Sequence, residues 1–292
     1  MTALVTGAGG FLGRHVVARL KTLSIPVETL GRSGSITLVD PGDAAAIHTA
    51  VRRVQPSLVF HLAGTAAAKS LEEAYRVNVW FGAHLLEAAR ALPTPPRVLL
   101  AGSAAEYGPV PDEILPLTEE VACNPTSTYG ITKLAQTLHG RAAAAAGLPV
   151  VMARIFNLVG TGMPAHLALG AFAAHIRAMP PVGGILRTGP LARWRDFVEA
   201  EPAAAVLVDL ARDPAASGLV VNVCSGVPTS LAVLTHALLK AAGRQIELIE
   251  EAERGGNSEM IRHWGSATRL ATFGHRLAPP DPTRVAAALL GN

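Results

Sequence analysis

The chain has 292 residues, half of them hydrophobic and 16% charged, with a formal net charge of +3. That length suits one large domain or two closely joined ones, and the balance is too apolar and too weakly charged for an intrinsically disordered chain. The 25 basic residues are scattered, with no Lys/Arg block and no groove-reading motif, so nucleic acid is not an expected partner.

Residues 2–6 read as a short buried strand, entered from Met1 without the basic leader and apolar stretch of a secretory signal; a cytoplasmic protein is expected. The strand runs into Gly7-Ala8-Gly9-Gly10-Phe11-Leu12-Gly13, after which Phe11, Leu12, Val16, Val17 and Leu20 recur with helical spacing. Residues 26–30 and 35–39 are predicted strands, and 44–54 a helix ended before Pro56. Strands over 58–62 and 97–101 follow, with a long helix over 71–91 between them. Residues 126–146 form a further helix opened by Asn124-Pro125-Thr126-Ser127, and 150–156 the strand after it. The longest uncharged apolar run, 142–153, contains Gly147 and Pro149 and falls short of the ~20 residues of a membrane span, so no membrane is expected as a partner. Strands and helices alternating at these lengths give an α/β fold, a doubly wound parallel sheet of the Rossmann kind covered on both faces. From Gly160 glycine and proline cluster, around Met163-Pro164, Pro180-Pro181 and Gly183-Gly184. The expected division is a dinucleotide-binding domain over 1–159, with later elements interleaved, and a smaller irregular C-terminal lobe over 160–292 that is mainly substrate-binding.

Gly7, Gly10 and Gly13 punctuate a strand-to-helix turn. Missing side chains let backbone approach a pyrophosphate, and the free N–H groups of the following helix receive its charge; the plain alternative is a tight turn. A dinucleotide with a free ribose 2'-hydroxyl calls for an acidic residue at the end of the second strand, where this chain has Gly31 and Arg32. An arginine pairs with a 2'-phosphate, so NADP(H) is favoured over NAD(H), the alternative being a solvent-facing loop arginine. Asp40, after the third strand, is placed to accept from the adenine amino group.

Tyr129 and Lys133 lie four apart in a predicted helix and project from one face. An ammonium beside a phenol favours the phenolate, which would lower the Tyr129 pKa toward working pH and make it a general acid or base for a carbonyl/alcohol couple. Ser103, expected two residues beyond the fifth strand, is placed to hydrogen-bond the reacting oxygen. Ten histidines show no metal-ligand spacing, and His61 reads as a strand-end residue; no metal is expected. Cys123 and Cys224 match neither a disulfide framework nor a metal pattern and are expected as reduced thiols.

With these residues in view the chain resembles the extended branch of the short-chain dehydrogenase/reductase family, the nucleotide-sugar epimerases, dehydratases and reductases, over nearly its whole length. Besides the glycine loop, with Phe11 and Leu12 inside it, and the Tyr129/Lys133 pair, the resemblance rests on five stretches. His61-Leu62-Ala63-Gly64 is similar to the family's stretch against the cofactor, and Asn78 to its active-site asparagine. Ser103-Ala104-Ala105-Glu106-Tyr107-Gly108 is similar to the stretch carrying the catalytic hydroxyl, which implies Ser103 and Glu106 at the substrate. Arg154-Ile155-Phe156-Asn157 is similar to the stretch bordering the sugar, and Arg195-Asp196-Phe197 to the element whose arginine grips the substrate diphosphate. The resemblance also implies a nucleotide-diphosphate sugar as substrate and a homodimer joined through the helices over 71–91 and 126–146.

Family dehydratases carry an Asp-Glu pair just after the catalytic hydroxyl residue, where this chain has Ala104 and Ala105; alanine transfers no proton, which argues against a dehydratase. Three further stretches, at 106–108, 221–226 and 265–270, are most similar to the GDP-4-keto-6-deoxymannose reductases, by which Arg254 becomes a second diphosphate contact, its alternative being a solvated residue in a charged run. The implied reaction is NADPH-dependent reduction of a nucleotide-linked 4-keto-6-deoxyhexose, GDP-4-keto-6-deoxymannose to GDP-rhamnose being favoured. An NAD-dependent nucleotide-sugar epimerase, which recycles its cofactor, and a non-catalytic dinucleotide sensor remain as alternatives, the sensor having no need of a proton donor.

Overall fold

Ala3–Thr6 form β1, a strand with every side chain buried, as a short apolar run does in the middle of a parallel sheet. The structure, a computed structural model, describes residues 1–31, 37–255 and 260–291, and of 254 and 255 the backbone alone. After β1 come α1 (Phe11–Thr22), β2 (Val27–Gly31), β3 (Thr37–Leu38), α2 (Ala44–Val54) and β4 (Leu58–His61). Of the strand expected over 35–39, residues 35 and 36 lie outside the described residues. The helix expected over 71–91 is present in three joined pieces, α3 (Leu71–Tyr75), a π-helical turn (Arg76–Trp80) and α4 (Phe81–Arg90). Next are β5 (Arg97–Ser103), a 3-10 turn (Ala104–Glu106), α5 (Thr128–Ala145) and β6 (Val150–Ile155).

The remaining elements are β7 (Asn157–Val159), α6 (Ala168–Ala178), β8 (Gly183–Thr188), β9 (Trp194–Glu199), α7 (Ala200–Arg212) and β10 (Val220–Val223). They are followed by β11 (Pro228–Ser230), α8 (Leu231–Ala242), β12 (Gln245–Glu250), β13 (Arg262–His263), α9 (Thr268–Thr272) and α10 (Pro282–Leu290). Among the described residues no helix is long and apolar enough to cross a membrane.

Seven parallel strands pair in the order β3-β2-β1-β4-β5-β6-β10. Neighbouring residues on one strand enter opposite layers: Val5, Phe60, Leu99 and Val151 join one buried cluster with Val16 of α1 and Leu207 of α7. Leu4, Val59, Leu100 and Met152 join another with Ile47 of α2 and Leu85 of α4. A sheet buried on both faces needs continuous apolar strands, which the sequence supplies. The strand order reverses between β1 and β4, and a crevice at such a reversal, outside the carboxyl ends of the strands, is where doubly wound folds bind ligands.

The chain after Gly160 divides. Helix α7 and β10 pack onto the seven-stranded sheet. Strands β11, β9, β13 and β7 form a second small sheet, β8 pairs with β12, and a separate apolar cluster gathers Leu169, Leu186, Leu234 and Leu289.

Candidate active site

The glycine loop is shaped by close backbone packing. Gly7 has φ +69, in the left-handed region, and a Cβ there would lie 2.7 Å from the amide nitrogen of Ala63. A Cβ on Gly13 would lie 2.0 Å from the Gly7 carbonyl oxygen, which lets α1 start directly against the turn. The mouth of the loop is open: nothing stands within 4 Å of a Cβ on Gly9, and only the Gly7 carbonyl does for Gly10. Gly10 caps α1 without a side chain and the first turn holds no acidic residue, so the amides of Phe11, Leu12 and Gly13 meet no capping group. A cradle that side chains would fill, at an uncapped helix start, fits the diphosphate of a dinucleotide.

Leu62, Ala63 and Gly64 leave β4 beside this loop, the Ala63 amide donating to Thr6 Oγ1 at 3.2 Å. A Cβ on Gly64 would lie 3.5 Å from Asn78 Oδ1 and 3.7 Å from Lys133 Nζ, so Gly64, Asn78 and Lys133 converge. Asn78 sits in the π-helical turn, fully buried. Its Oδ1 accepts from the Thr65 amide at 2.8 Å, and its Nδ2 donates to the Thr65 carbonyl and to Thr132 Oγ1, each at 2.9 Å. It ties the β4 loop to α5. Inserted π turns occur often at functional sites.

Ser103 is the last residue of β5, not two beyond it; the strand runs on because Gly102 and Ser103 pair with Arg154 and Ile155 of β6. Its hydroxyl accepts from the Ala105 amide at 3.2 Å and faces the Tyr129 phenol closely enough to lower its pKa. Lys133, 3% exposed, donates to Gln136 Oε1 at 2.9 Å, and Gln136 Nε2 to the Ala101 carbonyl at 3.2 Å.

The electrostatics correct one expectation. Burial pushes the Tyr129 phenol above its ordinary value; the Ser103 hydroxyl pulls it down and the Glu106 charge adds to the rise. Lys133 itself is lowered by burial to about 8, with Glu106 opposing the drop. In this chain desolvation outweighs the lowering of Tyr129 expected from helix spacing. His61, bonded to Thr6 Oγ1 at 2.8 Å, is lowered to about 3 by burial and by Lys133, so it is neutral at working pH.

Other residues singled out in the sequence make contacts within the chain. Glu106, expected at the substrate, is fully buried beneath Ser103: Oε1 accepts from the Ser103 amide at 2.9 Å and Oε2 from Arg154 Nε at 2.9 Å. Arg195, expected on a diphosphate, donates to the carbonyls of Trp194 (2.9 Å), Ile261 (3.0 Å) and Met260 (2.9 Å), which anchors the chain entering β13. Burial and the like charge of Arg193 lower it to about 10. Asp40, expected at the adenine, pairs with Arg76 and accepts from the Gly42 amide at 2.7 Å, clasping the β3–α2 turn to the π turn. Asn157 donates to the Asp196 carbonyl at 3.0 Å. Arg32 and the side chain of Arg254 lie outside the described residues.

Two residues that sequence reasoning passed over belong to the same neighbourhood. Gln136, the partner of Lys133, stands three residues on in the same helix, a spacing that could have flagged it. Arg14, one turn after Gly10, reaches back to the Gly10 carbonyl (3.4 Å) and lies against Gly162.

Residues 3–224 match the model of the NAD dependent epimerase/dehydratase family. The GDP-6-deoxy-D-mannose reductase of Pseudomonas aeruginosa is 28% identical over 91% of this chain and 88% of its own. The dTDP-6-deoxy-L-talose 4-dehydrogenase (NAD(P)(+)) of Kitasatospora kifunensis is 31% identical over 84% of this chain and 80% of its own. A solved structure of RMD from Pseudomonas aeruginosa complexed with NADPH superposes with a TM-score of 0.84, covering 100% of this chain and 98% of that one at 24% identity. The glycine cradle at the strand reversal and the Ser103, Tyr129 and Lys133 set thus stand in a chain that belongs to the NAD dependent epimerase/dehydratase family, the extended short-chain dehydrogenases/reductases.

Proposed function

We propose that this protein is an NADPH-dependent reductase of a nucleotide-linked 4-keto-6-deoxyhexose, with GDP-4-keto-6-deoxymannose, giving GDP-rhamnose, as the favoured substrate. The observation that carries the reading is Ser103 at the carboxyl end of β5, near enough to the Tyr129 phenol of α5 to lower its pKa and followed directly by Ala104 and Ala105. One proton donor and no second acid or base at those positions suffices for a ketone and fails for dehydration. Two relatives whose names place them on nucleotide-linked 6-deoxyhexoses support the substrate class.

A bound dinucleotide supplies hydride to the carbonyl carbon. The chain does the rest. Gly7, Gly10, Phe11, Leu12 and Gly13 hold the diphosphate end by backbone, and the Leu62, Ala63 and Gly64 stretch closes the same side. Ser103 Oγ fixes the carbonyl oxygen, and the Tyr129 hydroxyl gives its proton to that oxygen. Lys133, beside Gly64 and Asn78, is positioned for the cofactor's ribose. NADP(H) is favoured over NAD(H) on Arg32, and the structure of RMD was determined with NADPH.

The test is NADPH and NADH oxidation with GDP-4-keto-6-deoxymannose, beside its dTDP-linked counterpart and a no-sugar control. The expected result is oxidation with the GDP sugar, at least ~tenfold faster with NADPH, a difference of about 1.4 kcal/mol. No oxidation of either cofactor with either sugar, by protein that binds cofactor, overturns the reductase reading in favour of epimerisation.

The protein is further proposed to act as a homodimer in the cytoplasm. Leu71 and Trp80 on the α3/α4 run and Ile131 and Leu138 on α5 are 43–65% exposed, an apolar set on the helix pair expected to meet a second copy. Light scattering should give twice the 30.2 kDa subunit mass, and Leu138→Glu should shift the peak to one subunit. A single-subunit peak for the unaltered protein removes the dimer.

A further inference from the structure

Glu106 is a carboxylate with no exposed surface, placed where a strand turns out of the sheet beneath the reacting groups. Its position is built. A Cβ on Gly102 would lie 2.5 Å from Glu106 Oε1, so β5 gives up a side chain to let the carboxylate under the backbone. One oxygen takes the Ser103 amide and the other takes Arg154 Nε, both at 2.9 Å, so the two oxygens divide between the site and its support. Arg154, 5% exposed, reaches Glu106 from β6; its guanidinium lies 4.6 Å from the centre of the Tyr107 ring, and Nη1 donates to the Glu119 carbonyl at 3.4 Å. Both partners are held at fixed angles. A buried ion pair is a poor device for stability alone, because desolvating two charges offsets most of their attraction.

We propose that Glu106, clamped by Arg154, is a positioning residue for Ser103 and, through the Ser103 hydroxyl, for the Tyr129 phenol. The inference rests on reading Ser103 and Tyr129 as the couple that fixes the reacting oxygen and gives it a proton. By holding the Ser103 amide the carboxylate closes the 3-10 turn, and the same turn fixes Ser103 Oγ through the Ala105 amide, on the side from which Oγ lowers the Tyr129 pKa. The titratable groups around the carboxylate are Arg154 from β6, Lys133 from α5 and the Cys123 thiol from the loop before α5, with Tyr107 at the end of the turn. Through space the negative charge raises Tyr129 and supports the Lys133 ammonium. Glu106→Gln keeps an oxygen for the Ser103 amide but removes that charge and leaves Arg154 positive, and both changes favour the phenolate.

The chain has only three tyrosines, Tyr75, Tyr107 and Tyr129, so tyrosinate absorbance can be followed in the cofactor-free protein by pH jump, before alkaline unfolding. The step lost in Tyr129→Phe belongs to Tyr129. In Glu106→Gln that step should move to lower pH by about one unit, the size expected of a charge within ~4–6 Å. Turnover should fall at least ~tenfold, with the KM for cofactor changed less than ~twofold. Tyr107→Phe, which removes the hydroxyl that meets Asn222 Oδ1 and Arg154 but keeps the Glu106 charge, serves as the control for loosened packing: its Tm should fall while the Tyr129 step stays in place. A Tyr129 step unmoved in Glu106→Gln, or moved as far in Tyr107→Phe, overturns the proposal. Because the absorbance needs no sugar, the outcome stands apart from whether the substrate reading holds.

Discussion

Tyr129→Phe should abolish turnover and leave cofactor binding intact. A ketone reduced by hydride must acquire a proton on oxygen, and the couple formed by Tyr129 and Ser103 is the proton-bearing pair at the carboxyl end of β5. Its neighbours cannot substitute. Ala104 and Ala105 have no proton to give, Glu106 is locked to Arg154, and His61 is neutral with its pKa lowered to about 3. General acid catalysis is worth ~10²–10⁴-fold, and with no replacement donor the loss should lie near the top of that range. The Kd for NADPH should change by less than ~twofold, because the diphosphate end is held by the backbone of the glycine loop, which the substitution leaves intact. Fluorescence titration and single-turnover kinetics measure both. Residual activity above about a tenth would remove Tyr129 from the acid role.

The raised phenol fits this direction of chemistry. A tyrosine held above its ordinary value is fully protonated at neutral pH and is poised to give a proton rather than to take one. The first group of the set to titrate as pH rises is Lys133, at about 8, so a fall in activity above that pH reports the loss of the ammonium before any loss of the phenol's proton.

Sequence reasoning captured what backbone geometry dictates and lost what depends on burial. Helix spacing placed Tyr129 and Lys133 together because four residues make one turn, but it carries no information on how much water each group gives up, and that reversed the expected shift of Tyr129. The glycine loop was legible because a strand, a glycine turn and a helix are contiguous in the chain. Glu106 and Arg154 are 48 residues apart and meet only through the β5–β6 register, which sets Gly102 beside Arg154. The π turn at Asn78 lies in a run with no glycine or proline to announce it. Likewise the strands of the smaller sheet, two to six residues each, pair across long separations that local periodicity does not record. The resemblance puts Arg195 on a diphosphate but does not show the three carbonyls it also meets, which come within reach only once β9 and the chain entering β13 are brought together.

The glycines of the loop do two separate jobs, and two alanine substitutions should divide them. Gly13→Ala puts a Cβ 2.0 Å from the Gly7 carbonyl oxygen, and the nearest obstacles are backbone atoms that no side-chain rotation relieves. Overpacking of this kind costs ~1–3 kcal/mol or more, so Tm should fall by about 5 °C or more, with cofactor affinity lost as the turn shifts. Gly10→Ala is the opposite case. Its φ of −72 suits any residue, and the added Cβ meets only the Gly7 carbonyl, at 3.1 Å, so the penalty is a shift of a few tenths of an ångström there together with the weaker capping of alanine, about 1 kcal/mol. What alanine does block is the open mouth through which a diphosphate reaches the uncapped amides of α1. The Kd for NADPH should therefore rise at least ~tenfold in Gly10→Ala while Tm moves by only a few degrees. Calorimetric titration and thermal unfolding of the two variants separate the roles. Unchanged affinity in Gly10→Ala would mean that these glycines only shape a turn, and that the diphosphate does not lie on the start of α1.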